Sequence, residues 1–249
     1  MTVPRTSYAA PVYDKSAEIY DLLYVGSGIK DYGAEAAELH RIIQDACPTA
    51  RSLLDVACGT GAHLVELRQW YTVEGIDLSP AMLAVARRRL AGVPLHVADM
   101  RTVDVGRPFD CVICLFSSIG YLTDPSEMRS TVARLAAHVG PGGVFILDGW
   151  IRPDEWHDSY RPEPDIARDD EVTVVRLSFS RRKGNITELD MHHLVQTKAG
   201  IEYFSEGHRL ALTATEDYVS AVEEAGLTAR VIADYMPGRD RIVGTRAMS

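Results

Sequence analysis

With 249 residues, 46% of them hydrophobic, the chain is long enough to bury a full core without covalent staples, and its four scattered cysteines are too few for a disulfide framework. Thirty-five acidic against 26 basic residues give a net charge of −9, which excludes broad binding to nucleic acid or anionic membrane, because phosphate neutralisation needs clustered lysine and arginine. No stretch approaches the ~20 apolar residues of a membrane span and the N-terminus lacks a basic, then apolar, leader, so a cytoplasmic protein is expected.

Residues 1–33 are polar and tyrosine-rich, with Tyr8, Tyr13, Tyr20, Tyr24 and Tyr32 around a Gly26-Ser27-Gly28 hinge, and read as a lid. Residues 34–46 have the spacing of an amphipathic helix. LLDVACGTG, residues 53–61, then runs a buried apolar strand into Asp55 and a turn where Gly59 and Gly61 let backbone approach a small molecule. A dinucleotide or S-adenosylmethionine suits such a turn. The dinucleotide fingerprint needs a third glycine where this chain has Leu64, whereas S-adenosylmethionine carries no phosphate and tolerates the acid. VEGIDLSP, residues 73–80, is a second strand ending in Asp77, at the spacing from which a carboxylate reaches ribose hydroxyls. Ser79 and Pro80 start a helix with Met82 on its apolar face and Arg87, Arg88 and Arg89 on a solvated one. PLHVADM, residues 94–100, ends a third strand in Asp99.

FDCVICLF, residues 109–116, reads as the fourth strand; Cys111 and Cys114, three apart on it, face opposite sides and cannot share a metal. GGVFILDGW, residues 142–150, is the fifth, after a Pro141-Gly142-Gly143 turn, and residues 153–170 read as a loop. Residues 171–182, 185–198 and 200–213 alternate as three antiparallel strands. Thr215 caps a helix that Gly226 ends, and strands near 228–235 and 241–247 follow. The expected fold is α/β: a doubly wound, mostly parallel, seven-stranded Rossmann-like sheet with an antiparallel β insertion. Its parts are a lid at 1–33, a core at 34–152 and 214–249, and the insertion at 153–213.

The stretch Asp55-Val56-Ala57-Cys58-Gly59-Thr60-Gly61 closely resembles motif I of the class I methyltransferases. Beyond it, residues 17–32, 52–64, 73–90, FSSIGYL at 116–122, the Trp150 region, LDMHHLV at 189–195 and GRDRIVG at 238–244 are similar to the N-methyltransferases that act on aminosugars attached to thymidine diphosphate in antibiotic pathways. The resemblance spans nearly the whole chain. FSSIGYL is its most diagnostic piece, standing where nucleic-acid amino-methyltransferases carry an Asp/Asn-Pro-Pro-aromatic motif.

That resemblance implies S-adenosylmethionine as cofactor and transfer of its methyl group to the amino group of a thymidine-diphosphate-linked amino-deoxyhexose. It places Tyr20 and Lys30 near the methionine end, Asp55 by its ammonium, Ala57, Gly59 and Gly61 at the turn, Asp77 and Leu78 at the ribose, and Asp99 and Met100 at the adenine, with Met82 and Phe116 beside them. Around the sugar it places Tyr13, Ser118, Tyr121, Trp150 and His192, and it sets Arg239 against the diphosphate, a fork-shaped cation suited to phosphate oxygens. Arg152, Arg161, Arg181 and Arg182 are weaker candidates for that anion. The chain departs from the pattern at the GSGIK hinge, at Asp148-Gly149 and Ile151, and at Arg241, where an apolar residue is common, so the sugar or its ring position can differ.

An amine attacking a sulfonium needs its lone pair free and aligned, so positioning supplies most of the acceleration and a strong base is not essential. His192 could accept the proton or orient the amine, and Tyr121 could orient it through its hydroxyl, while His193 is expected on the opposite face. No metal is expected. The insertion could serve a homodimer, as the resemblance suggests. An O- or C-methyltransferase of another small molecule, a noncatalytic S-adenosylmethionine-binding module and, third, a dehydrogenase remain as alternatives.

Overall fold

The computed structural model describes residues 13–158 and 162–248; Tyr8 and Arg161 lie outside them. Seven strands form the main sheet: β1 (Ser52–Val56), β2 (Thr72–Asp77), β3 (Leu95–Val97), β4 (Phe109–Cys114), β5 (Val139–Asp148), β10 (Thr228–Met236) and β11 (Arg239–Thr245). Their order is β10-β11-β5-β4-β1-β2-β3, and β11 alone runs against its neighbours. The chain turns one way from β1 to β2 and the other way to β4, so the carboxyl ends of β1, β2 and β4 open a crevice at the switch point.

Both faces of this sheet are covered, which is why its central strands read as continuous apolar runs. Leu53, Cys111, Ile113, Val144 and Ile146 join α2 (Tyr32–Ala46), α3 (Ala62–Leu67) and α4 (Pro80–Arg89) in one core. Leu54, Val112, Cys114, Phe145 and Leu147 join α5 (Pro125–Ala137) and α6 (Thr215–Glu224) in the other. Cys111 and Cys114 thus belong to different cores.

A second, four-stranded antiparallel sheet is ordered β6 (Asp165–Arg168), β7 (Thr173–Lys183), β8 (Ile186–Thr197), β9 (Gly200–Ala211). Its inner face packs Val174, Val195 and Ala167 on Ile19 and on Leu23 of α1 (Tyr20–Gly26), and Leu189, Met191 and Leu210 on Tyr121 and Trp150. Its outer face leaves Ile166, Leu177, Leu194, Ile201 and Tyr203 exposed.

Several expected boundaries move. β6 occupies part of the expected 153–170 loop: only four residues long, it owes its existence to pairing with β7, a long-range cause that composition does not carry. The Pro141-Gly142-Gly143 segment lies inside β5, where Gly142 at φ +70° and a register shift against β4 make a bulge, not a turn. The helix at 215 is capped by Ala214 without a side-chain bond; Thr215 instead donates from Oγ1 to Asp240 at 2.5 Å. Among the described residues no helix is long and apolar enough to cross a membrane.

Candidate active site

At the carboxyl ends of β1, β2 and β4 a cleft of about 370 Å³ opens, within the usual range of small-molecule sites. The turn after β1 takes left-handed backbone at Ala57, Gly59 and Gly61 (φ +60°, +55° and +73°). Gly59 lines the cleft with open space where a Cβ would stand. Gly61 does not line it: a Cβ there would meet Leu90 Cδ1 at 2.6 Å, so this glycine lets α3 pack against α4. Asp77 lines the cleft and accepts from the backbone N–H of Gly59 and of Ser79, both at 2.8 Å, so one carboxylate braces two loops. Burial raises its pKa, and these two bonds oppose the shift.

Asp55 stands one layer behind the wall, 2% exposed and absent from the lining. Its Oδ2 has no partner among the described residues, and burial, then Asp77 and Glu35, push its pKa up. A buried acceptor lacking a donor fits a cationic ammonium reached through water better than direct contact. Asp99, Met100, Leu78 and Met82 line the nucleoside end. Arg101, which also lines the cleft, holds the Asp99 carboxylate at 2.6 Å and keeps its pKa below the usual range. The lining fits a phosphate-free, positively charged nucleoside: backbone approach at Ala57 and Gly59, and carboxylates at Asp77, Asp99 and Glu127.

The opposite wall begins at Phe116 and Ser117, consecutive non-glycine residues at φ +53° and +63°. Such backbone costs ~1–3 kcal/mol per residue and persists only where surroundings enforce it. Here Ser117 donates its N–H to Asp148 Oδ1 at 2.7 Å and its hydroxyl to the Gly149 carbonyl at 2.8 Å, so the end of β5 clamps the turn. The turn places Phe116, Ser118 and Tyr121 on the cleft, with Tyr13 and Tyr20 facing them from the N-terminal segment. That segment is tied to the nucleoside side as well: Ser79 Oγ donates to Asp14 and Thr60 Oγ1 to Asp21, each at 2.8 Å. Arg88 and Arg89, read as merely solvated, pair with Glu18 and Asp21 of the same segment.

Lys30 lies off the cleft. It pairs with Glu35 at 2.6 Å and sits 4.0 Å over the Phe116 ring. Glu35 also meets His63 at 3.0 Å and Arg241 at 2.8 Å. Burial pushes Glu35 up, but the bonds from His63 and Lys30 outweigh it and hold the carboxyl below its usual range. Arg241 is fully buried, stacks on Tyr235 and lies 3.6 Å from Asp148, linking the Ser117 clamp to His63 on the cofactor side.

His192 is the clearest correction. The odd residues of β8 turn inward and the even ones outward, so His192 is on the outer face, bonded to the Tyr203 hydroxyl at 2.8 Å and away from the cleft. His193, expected to face away, is the inward one, 1% exposed and stacked on Phe204 at 4.7 Å. The histidine that meets Tyr121 is His208 of β9, its Nδ1 2.8 Å from the hydroxyl, which itself donates to Tyr13 at 2.8 Å. Glu206, His208 and Leu210 share the buried face of β9, but two of the three are polar, so no apolar alternation in the sequence marks that face. Tyr32 of the expected lid and Thr60 of the motif I turn line the cleft as well, and so do His63, Arg101, Gly207 and Arg209, which no motif marked.

Trp150 and Arg239 stand just behind the substrate wall. Trp150 packs beside Tyr121, and Arg239 lies 4.2 Å over its ring, donating to Ser117 Oγ at 3.3 Å. Arg239 forms no ion pair among the described residues, while Arg152, Arg176 and Arg241 are all committed to carboxylates.

A methyltransferase-domain family model matches residues 53–143. The chain is 41% identical over 237 residues to the dTDP-3-amino-3,6-dideoxy-alpha-D-glucopyranose N,N-dimethyltransferase of Streptomyces fradiae, covering 94% of this chain and 89% of that one. It is 37% identical to the dTDP-4-amino-2,3,4,6-tetradeoxy-D-glucose N,N-dimethyltransferase of Saccharopolyspora spinosa, covering 92% of each. The SAM-bound amino pentose methyltransferase of calicheamicin biosynthesis from Micromonospora echinaspora superposes with a TM-score of 0.83 at 40% identity, over 98% of this chain and 100% of that structure.

Proposed function

The chain belongs to the S-adenosylmethionine-dependent sugar N-methyltransferases, and from that footing we propose that it methylates the amino group of a thymidine-diphosphate-linked amino-deoxyhexose of an antibiotic pathway. The observation that carries this reading is the placement of three hydroxyl side chains, Ser118, Tyr121 and Tyr13, on the same cleft as the Ala57–Gly59 turn, with Arg209 also on its lining. The bound cofactor supplies an electrophilic methyl on a sulfonium. Asp77 receives the ribose hydroxyls, Asp99 and Met100 receive the adenine, and Asp55 stands behind the methionine ammonium. Lys30 acts by fixing Glu35 and Phe116, not by direct contact.

On the substrate side Arg239, braced on Trp150, supplies the guanidinium for the diphosphate. Tyr121 holds the amine, and Tyr13 stands beside it at the sugar. Burial raises both phenol pKa values, and His208 is pushed down to about 4 by burial and by Arg176, so none of the three is a base matched to neutral pH. The amine enters as free base and the protein supplies alignment, an effect that can reach ~7–11 kcal/mol.

Residues 13–33 form a lid, and the protein is a cytoplasmic homodimer joined through the exposed apolar face of β6–β9. A Leu194→Asp variant running as a monomer in light scattering, beside a dimeric parent, is the expected result. The deciding experiment is mass spectrometry after incubation with S-adenosylmethionine and thymidine-diphosphate 3-amino-, 4-amino- and hydroxy-hexoses. Gain of one or two methyl masses on an amino sugar is expected; methylation of the hydroxy sugars alone makes the chain an O-methyltransferase, and cofactor binding without turnover makes it a binding module.

A further inference from the structure

The Tyr121 hydroxyl has two neighbours, each at 2.8 Å: the Tyr13 hydroxyl and Nδ1 of His208. His208 is 1% exposed on the inner face of β9, its ring tilted against Tyr13 with centroids 4.7 Å apart. Its Nε2 is buried and has no partner among the described residues. A neutral imidazole has one N–H and one bare nitrogen, and a buried N–H without an acceptor is the rarer and costlier of the two defects. The N–H therefore belongs on Nδ1, where it is satisfied, and the bare lone pair on Nε2.

That tautomer bars Tyr121 from donating to His208, so its proton is left for Tyr13, the acceptor 2.8 Å away. His208 donates to Tyr121, Tyr121 donates to Tyr13, and Tyr121 keeps one oxygen lone pair that no described residue occupies. With the proton on Nε2 instead, Tyr121 would donate to His208 and accept from Tyr13, and Tyr13 would have no proton left for the substrate. A phenol proton aimed at the amine would tie up the lone pair that has to attack the methyl group. A phenol lone pair aimed at it receives an amine N–H and leaves the nitrogen lone pair free.

We propose that His208 is a positioning residue for methyl transfer: by donating from Nδ1 it commits the Tyr121 proton to Tyr13 and leaves Tyr121 as a hydrogen-bond acceptor for the substrate amine. This rests on the amine-methylation reading given above. It also assigns unlike roles to the two tyrosines, Tyr121 accepting from the amine and Tyr13 offering its own proton to a sugar oxygen.

The test is a double-mutant cycle. His208→Phe keeps a ring but removes the bond, and His208→Asn keeps an N–H donor near the place of Nδ1. His208→Phe and Tyr121→Phe are each expected to lower kcat/KM for the amino sugar nucleotide about tenfold, the size of one lost hydrogen bond, with the affinity for S-adenosylhomocysteine unchanged. The double variant should fall less than twofold below Tyr121→Phe, and His208→Asn should recover to within about threefold of the parent. The acid limb of the kcat/KM profile should stay in place in His208→Asn. Multiplying losses in the double variant, failure of Asn to rescue, or an acid limb that moves would each overturn the proposal. If the parent binds S-adenosylhomocysteine yet methylates no amine, the functional reading has failed; the same cycle is then read in urea unfolding, where coupling between positions 208 and 121 supports the bond's role and additivity refutes it.

Discussion

The two walls of the cleft are made from different materials. The cofactor wall consists of parallel-strand ends, where carboxylates are held by backbone N–H groups, as Asp77 is by Gly59 and Ser79. The substrate wall consists of side chains brought from the N-terminal segment and the turn after β4, Tyr13 and Tyr121, held by each other and by His208, with Trp150 and Arg239 stacked behind. The first wall is a property of a local segment. The second exists only once distant segments have packed.

Acid should separate the walls most strongly. His193 and His208 are held neutral, with pKa values pushed down to about 4 by burial and Arg176, while the unfolded chain takes up these protons near 6.5. Between those values the unfolded state binds more protons, so stability falls as pH drops, by up to ~3 kcal/mol per histidine. Two carboxylates on the cofactor side behave oppositely: Asp55 and Asp77 have raised pKa values, so the folded state is their better proton binder and acid relieves them, whereas Asp99 is held low by Arg101. Urea melts from pH 7 to 4 should show a decline that His193→Phe flattens; a pH-independent midpoint would abolish the contrast.

Arg241 joins the walls, and its loss should be felt on both. Arg241→Met leaves Glu35 and Asp148 short of a buried counter-charge, at a cost of about 3 kcal/mol in unfolding free energy, with weaker binding of both S-adenosylhomocysteine and sugar nucleotide. Asp77→Ala and Arg239→Ala should divide what Arg241 unites. The former lowers cofactor affinity by about a hundredfold, ~3 kcal/mol, through the loss of two charge-assisted bonds; the latter raises KM for the sugar nucleotide about tenfold and leaves the cofactor alone. Calorimetry that found the effects exchanged would reverse the assignment of the walls. The smallest effect is expected at His192, where alanine should change kcat/KM less than about twofold because the residue faces outward.

What was legible in the sequence follows the same division. Asp55, Asp77 and Asp99 each end an apolar run, so strand, terminus and acid could be read together. Even there, function and packing were confounded at Gly61, whose missing Cβ makes room for Leu90, not for a ligand. On the other wall, a strand's two faces look alike until something covers one of them. His192 and His193 are neighbours in sequence, and only the packing of Leu189 and Met191 against Tyr121 and Trp150 decides which points inward. β6 was unreadable for the same reason, since its partner β7 and not its composition makes it a strand.

Residues 13–21 work as a hasp across both compartments. Tyr13 is fastened to Tyr121 on one side, while Asp14 and Asp21 are fastened to Ser79 and Thr60 on the other. If this segment is the proposed lid, a swing that uncovered the sugar would also break the ties to Ser79 and Thr60 beside the nucleoside end.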